Sequence, residues 1–423
     1  MGVKVSVIGG GSTYTPELID GLAARQERFP IDELVLHDID LDRLEIVGGL
    51  ARRMLARVAW PGRLVLTDSR EGAVDGAAFV LVQLRIGGQA ARLVDETLPP
   101  TFGTIGQETT GAGGFAKALR TIPVVLELAE LVARRSTPEA WIVDFTNPVG
   151  MVTQALLDDG HRAIGLCNVA ITLQRRLAER LGVDPDRVEL EQVGLNHLSW
   201  IRAVRVDGVD RLPALLAAHD ESIAAEVDVP LDAFRRLGAI PSYYLRYYYA
   251  FDRVLAAQRA GHTRAQEVID IEGQLLDLYR DPTLDRKPDL LEHRGGAYYS
   301  EAAAQLLASL HDGRGDVQVV DVLNGGALPG LRDGDVVEIG ARIDRSGADP
   351  IRVAPLADEV LSLVRQLKEY ERLTIRAARS GDRAAAAAAL DANPLVDGRV
   401  DRDALLTALL EANRRHLPRF YPG

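Results

Sequence analysis

Residues 3–8, Val-Lys-Val-Ser-Val-Ile, form a short β-branched run that meets Gly9-Gly10-Gly11 at once, which predicts a strand ending in a tight glycine turn. Thr15-Pro16 then supply a helix cap and a proline at the first helical position, ahead of Leu18, Ile19, Leu22 and Ala23 in helical spacing. A second strand, Leu34-Val35-Leu36-His37, closes on Asp38. Further apolar runs at 64–66, 78–84, 141–145 and 163–166 alternate with helix-like stretches such as 124–135. This alternation predicts an α/β fold that begins with a Rossmann-type doubly wound parallel sheet over residues 1–168.

Beyond residue 168 the texture changes. Residues 188–193 and 198–206 read as a strand pair around Gly194-Leu195-Asn196-His197, and longer helical patterns follow at 264–279, 298–310 and 356–379. The alanine-rich stretch 382–390 is expected to be a surface helix built from good helix formers. Residues 169–423 are therefore expected to be an α+β domain that carries substrate and metal.

A length of 423 residues makes two domains the default, and 47% hydrophobic with 26% charged residues fits an ordinary globular chain. The net charge of −12 argues against nucleic acid or an acidic membrane surface as partner, but an anionic small substrate needs only a few local arginines. Cys167 is the single cysteine, so no internal disulfide forms and nothing calls for an oxidising compartment. The apolar runs are too short to cross a bilayer and the start shows no signal-peptide pattern, so a cytoplasmic protein is expected.

Gly9 and Gly11 occupy the first two positions of a dinucleotide fingerprint, and Tyr14 stands where the third glycine is expected. Such a turn brings backbone N–H groups to a pyrophosphate at a helix N-terminus. Asp38 ends the second strand, where a carboxylate accepts from both ribose hydroxyls and repels a 2′-phosphate, favouring NAD over NADP. A glycine turn that binds no nucleotide is the alternative. Arg85 and Asn147 follow apolar runs, placing both at strand carboxyl ends, where open α/β sheets hold ligands. Arg92, close behind, reads equally well as a solvated surface arginine. The glycine- and threonine-rich segment 103–114 predicts a loop covering the site. Tyr243, Tyr244, Tyr247, Tyr248 and Tyr249 are expected to be mostly packing residues. Cys167, with His197 downstream, suits a metal, although a lone free cysteine is more often a small buried hydrophobe.

Several blocks in order become specific: Val7-Ile8-Gly9-Gly10-Gly11-Ser12, Arg85-Ile86-Gly87-Gly88 through Arg92 and Asp95-Glu96, Gly106-Gln107-Glu108-Thr109, and Arg120-Thr121-Ile122-Pro123. Asp144-Phe145-Thr146-Asn147-Pro148, Gly165-Leu166-Cys167-Asn168, Gly194-Leu195-Asn196-His197, Pro241 to Tyr249 and Arg294-Gly295-Gly296 continue the series. Over its whole length the chain resembles glycoside hydrolase family four, the NAD- and divalent-metal-dependent glycosidases, and is most like members acting on 6-phospho-β-glucosides. That family departs from two-carboxylate glycoside hydrolysis. Its nucleotide domain is similar to those of lactate and malate dehydrogenases.

The resemblance implies a redox-neutral elimination. Hydride passes from C3 of the sugar to NAD⁺, the C2 proton becomes acidic enough for a side-chain base, and the aglycone leaves C1; water then adds and hydride returns. Gly9, Gly11, Ser12 and Asp38 are implied for NAD. Cys167 and His197 are implied as ligands of a divalent ion, expected to be manganese, acting as a Lewis acid on the C2 and C3 oxygens. Tyr244 is implied as the base, with Tyr243 the neighbouring position open to confusion. Arg92 and Arg294 are implied for the 6-phosphate, and Arg85, Asn147 and Asn168 complete the substrate set. Asn168 stands where α-glucoside members often carry an aspartate that protonates the leaving group, which points to β-linked substrates. A homodimer or homotetramer is expected. Two other readings stand beside this one. An NAD-dependent hydroxyacid dehydrogenase would form net NADH without metal, and a catalytically silent sugar-phosphate-binding protein would tolerate Tyr244→Phe.

Overall fold

The computed structural model describes residues 2–295 and 298–422; Gly296 of the Arg294-Gly295-Gly296 block lies outside them. The apolar runs of the first half are strands: β1 (Val3–Ile8), β2 (Ile31–His37), β3 (Arg63–Thr67), β4 (Phe79–Val82), β5 (Trp141–Asp144) and β6 (Ala163–Gly165). They pair in parallel in the order β3-β2-β1-β4-β5-β6. This is the order of a doubly wound dinucleotide fold, with its switch point between β1 and β4. β4 is buried along its length, as a parallel strand covered on both faces must be.

Past β6 the sheet becomes antiparallel. Its further strands are β7 (Val188–Leu195), β8 (Leu198–Val206), β9 (Val209–Asp210), β10 (Ile240–Pro241), β11 (Asp316–Leu323), β12 (Val336–Asp344) and β13 (Gly347–Pro350). β11 joins β6 by pairing Asp321 with Gly165, and the sheet continues as β12-β7-β8-β10, with β9 on β8 and β13 on β12. Among the described residues the thirteen strands thus form one sheet that runs unbroken past residue 168. The main apolar core likewise draws on both halves of the chain, from Val5 to Leu417.

Some local expectations need correction. The helix expected over 124–135 is the second half of Gly111–Arg135. Its first half, 111–123, is buried on every side, so it carries no amphipathic period to betray it. Thr15 does not cap its helix; its hydroxyl donates to the Gly10 carbonyl at 2.9 Å and accepts from Gln83 Nε2 at 3.0 Å, tying down the glycine turn. The alanine-rich helix, Arg383–Ala392, packs Ala386, Ala389 and Leu390 into the core. Among the described residues no helix is long and apolar enough to cross a membrane.

Candidate active site

The carboxyl ends of the parallel strands open on one cavity of about 1280 Å³. Gly9, Ser12, Asp38, Arg85, Arg92, Asn147, Asn168, Tyr244 and Arg294 line it. The other three expected site residues are one contact or one chain step from its wall: Gly11 bonds to Asp38, Cys167 precedes Asn168, and His197 stacks on Tyr244.

At the nucleotide end Gly9 has φ +91, and a Cβ there would stand 2.6 Å from the Gln83 carbonyl oxygen, so glycine is required on both counts. The Gly11 N–H donates to Asp38 Oδ2 at 2.9 Å, which fixes the carboxylate at the end of β2. Ser12 Oγ accepts from the Tyr14 N–H at 3.2 Å. Tyr14, in place of the third glycine, turns its ring edge-on to Tyr299 with centroids 5.9 Å apart.

Cys167 follows β6 and is buried. Tyr299 fixes the preceding residue by donating its hydroxyl to the Leu166 carbonyl at 3.0 Å. His197 sits in the two-residue turn between β7 and β8 with φ +63, a conformation uncommon for a residue with a side chain. Its neighbour Asn196 is anchored beneath, donating to Glu338 Oε2 at 3.0 Å. The tautomer of His197 follows from its bonds. Gln107 Oε1 accepts from the Thr109 and Thr110 N–H groups at 2.5 and 2.8 Å, so it is an acceptor, and the Thr109 hydroxyl, 2.7 Å away, must donate to it. Thr109 Oγ1 then accepts from His197 Nδ1 at 2.8 Å, which places the ring proton on Nδ1 and leaves Nε2 bare. Burial holds the imidazole pKa down to about 3, so the ring is neutral at physiological pH. A neutral imidazole oriented by a hydroxyl and a thiol that interacts with the preceding Asn196 and with Tyr244 are fitting donors for a borderline divalent ion. Among the described residues no larger cluster of Cys, His, Asp and Glu gathers as ligands.

Burial, reinforced by the Glu338 charge, pushes the Cys167 thiol well up, against the N–H groups of Val169 and Asn196 that favour the thiolate. The free protein therefore holds a protonated thiol at neutral pH. Manganese binding through sulfur is expected to release about one proton per ion, read from the buffer dependence of the calorimetric enthalpy, and Cys167→Ser is expected to release none. Binding by the wild type with no proton release would place the sulfur outside the ion's ligand set.

Tyr244 is half-buried, and its ring lies flat on His197 with centroids 3.6 Å apart and planes 7° apart. Burial, and then the negative charge that Cys167 carries once it is a thiolate, hold its phenol well above the usual range, while Arg92 acts in the opposite direction. Tyr243, the neighbouring alternative, is 41% exposed with Arg246 over its ring at 4.0 Å.

Arg92 is not a solvated surface residue. It is buried and bonds Glu96 Oε1 at 2.8 Å, with Glu108 Oε1 at 3.3 Å. Glu108 also pairs with Arg85 and accepts from Lys117 Nζ at 2.6 Å. The segment 103–114 lines the cavity through Gly106, Gln107 and Glu108, and it is packed rather than loose: Thr104, Ile105, Glu108, Thr109 and Thr110 are buried. Its glycines serve close approach rather than flexibility, since a Cβ on Gly106 would overlap the Glu96 carbonyl. Arg294 pairs with Glu272 at 2.8 Å. The buried Asn147 Oδ1 has no protein partner, which leaves an acceptor at the cavity for a ligand hydroxyl.

The sequence alone gives no role to Glu108, Thr109, Lys117, Glu272 or Tyr299. Glu108 and Thr109 fall within a recognised block, which was the available signal. Lys117, Glu272 and Tyr299 reach the site only through tertiary contacts.

Comparison with known proteins accords with this arrangement. The profile described as Family 4 glycosyl hydrolase matches residues 4–183, and that of the Family 4 glycosyl hydrolase C-terminal domain matches 192–396. A probable 6-phospho-beta-glucosidase of Bacillus subtilis (strain 168) is 41% identical, over 99% of this chain and 98% of the relative. The solved 6-phospho-beta glucosidase of Thermotoga maritima, with NAD and glucose-6-phosphate, superposes with a TM-score of 0.91 at 37% identity, covering 98% of this chain and 99% of that one. The same enzyme has been solved with manganese, NAD+ and glucose-6-phosphate, at a TM-score of 0.91 and 36% identity, with coverage of 98% and 99%. A lactate dehydrogenase from a deep-sea metagenome shares the fold at a TM-score of 0.57 and 15% identity, covering 89% of this chain and 99% of that one. The matched profiles and these full-length relatives establish that the chain belongs to the family 4 glycosyl hydrolases.

Proposed function

We propose that the chain hydrolyses 6-phospho-β-glucosides by redox-neutral elimination: oxidation at C3, removal of the C2 proton, loss of the aglycone, water addition and re-reduction. The observation that carries this reading is Tyr244 stacked at 3.6 Å on His197 and in electrostatic reach of Cys167 at the carboxyl edge of a dinucleotide sheet. When bound, NAD supplies a reversible hydride acceptor and a divalent ion, manganese by analogy with the solved relative, supplies a Lewis acid.

The remaining work falls to side chains. Gly9, Gly11 and Ser12 form the turn that receives the pyrophosphate, and Asp38 accepts from the ribose hydroxyls. Cys167 Sγ and His197 Nε2 hold the ion. Tyr244 Oη takes the C2 proton; its phenol is disfavoured as an anion in the free protein, and a cation held next to it favours the phenolate. Asn147 Oδ1 accepts from a sugar hydroxyl. Arg92 and Arg294 receive the 6-phosphate, with Arg85 completing that wall. Asn168 carries no ionisable proton, so it cannot act as the acid for an aglycone, in keeping with β-linked substrates. Residues 1–168 hold the dinucleotide in this scheme, and 169–423 supply His197, Tyr244 and Arg294. We place the protein in the cytoplasm, where its one thiol stays reduced, as a homodimer or homotetramer whose mass light scattering would give.

With NAD⁺, manganese and a thiol reductant, only 6-phospho-β-glucosides are expected to be cleaved, with no net NADH. The dephosphorylated and α-linked counterparts serve as controls. Net NADH from a hydroxy acid without metal would instead support a dehydrogenase.

A further inference from the structure

Glu272, on the helix Arg264–Tyr279, is 5% exposed, and its carboxylate joins two distant parts of the site. Oε1 accepts from Arg294 at 2.8 Å through Nη2 and at 3.2 Å through Nε, and from Gln89 Nε2 at 2.8 Å. Oε2 accepts from Arg43 Nη2 at 2.9 Å. Arg43 Nε donates onward to the Gly11 carbonyl at 2.7 Å, and Arg294 Nε donates to Thr13 Oγ1 at 2.8 Å. Burial opposes ionisation here, yet Arg294 and Arg43 bring the Glu272 pKa down to about 2, so the charge persists at neutral pH.

We propose that Glu272 is a positioning residue that couples sugar-phosphate binding to dinucleotide binding, each strengthening the other. The proposal rests on the reading of Arg294 as a phosphate partner given above. A phosphate dianion drawn to Arg294 competes with Glu272 for that guanidinium. The carboxylate is then left to Arg43 and Gln89, and the firmer Arg43 contact fixes Gly11, whose N–H already holds Asp38. In the other direction, a dinucleotide that orders residues 9–13 holds Thr13 against Arg294 Nε and presets the guanidinium. Thermodynamic linkage requires the two effects to be equal.

The probe is ADP-ribose, which carries the adenosine and pyrophosphate but no nicotinamide, so it does not reach the sugar. Its affinity is measured by calorimetry with and without saturating glucose 6-phosphate. In the wild type its Kd is expected to fall about tenfold when glucose 6-phosphate is present. In Glu272→Gln the ratio is expected to approach one while both ligands still bind; a purely structural role would weaken both ligands and leave the ratio unchanged. Arg43→Met cuts the other half of the link at a side chain that is 28% exposed, and is expected to lose the coupling in the same way. An unchanged ratio in either folded variant, or a wild-type ratio of one, would overturn the proposal alone. A wild type that binds ADP-ribose but no glucose 6-phosphate would overturn the functional reading, and the coupling with it.

Discussion

Replacing Tyr244 by phenylalanine is expected to lower kcat on a 6-phospho-β-glucoside by about three orders of magnitude while leaving KM close to wild type. The change removes one oxygen and keeps the ring, so the flat stack on His197 at 3.6 Å survives and the loss reports on proton removal rather than folding. A sugar carbon acid needs a base within reach of its proton, and deleting a positioned base typically costs about 10²- to 10⁴-fold. Tyr243→Phe is the internal control. That ring is 41% exposed and faces the Arg246 guanidinium, so its variant is expected to keep kcat near wild type. Wild-type kcat in Tyr244→Phe would remove this phenol from the chemistry.

The backbone frame was more legible in the sequence than the polar site. Short β-branched runs closed by Gly9, Asp38, Arg85, Asn147 and Cys167 mark strands ending at one edge, because a parallel sheet buried on both faces demands continuous apolar segments. The same rule places Gly9, Asp38, Arg85 and Asn147 on that edge, whereas Arg92, Tyr244 and Arg294 come only from the family resemblance. What could not be read is the compensation between charges. Arg294 finds Thr13 and Glu272, and Arg85 finds Glu108, through packing that no local period encodes. In segment 103–114 composition alone does not separate glycine chosen for tight backbone contact, as at Gly106, from glycine chosen for mobility.

Glu108→Gln is expected to have the largest effect on stability, a loss of about 3–5 kcal/mol at neutral pH. Burial acts to raise the Glu108 pKa, yet Arg85, Lys117 and Arg92 together hold it well below the usual range. A neutral amide leaves Arg85 and Lys117 facing each other without the carboxylate that balances them, while Arg92 keeps Glu96. Lys117 feels this most, since burial already lowers its pKa to about 7 against the attraction of Glu108. The pH dependence follows from the sign of the shift. A carboxyl depressed in the folded state contributes its stability in full above its unfolded value, about 4.3, and loses it as pH falls through the folded value. Urea midpoints at pH 7 and at successively lower pH should therefore converge between wild type and variant in acid. A constant gap from neutral pH down through that range would show that the charge of Glu108 is not what stabilises the cluster.

Proton removal at C2 by Tyr244 separates this chemistry most sharply from direct displacement at C1, which leaves the C2 hydrogen untouched. The direct measurement is cleavage of a 6-phospho-β-glucoside in deuterated water with NAD⁺ and manganese, followed by proton NMR of the glucose 6-phosphate formed. Deuterium at C2 of the product is the expected result, and cleavage that leaves protium there would contradict elimination.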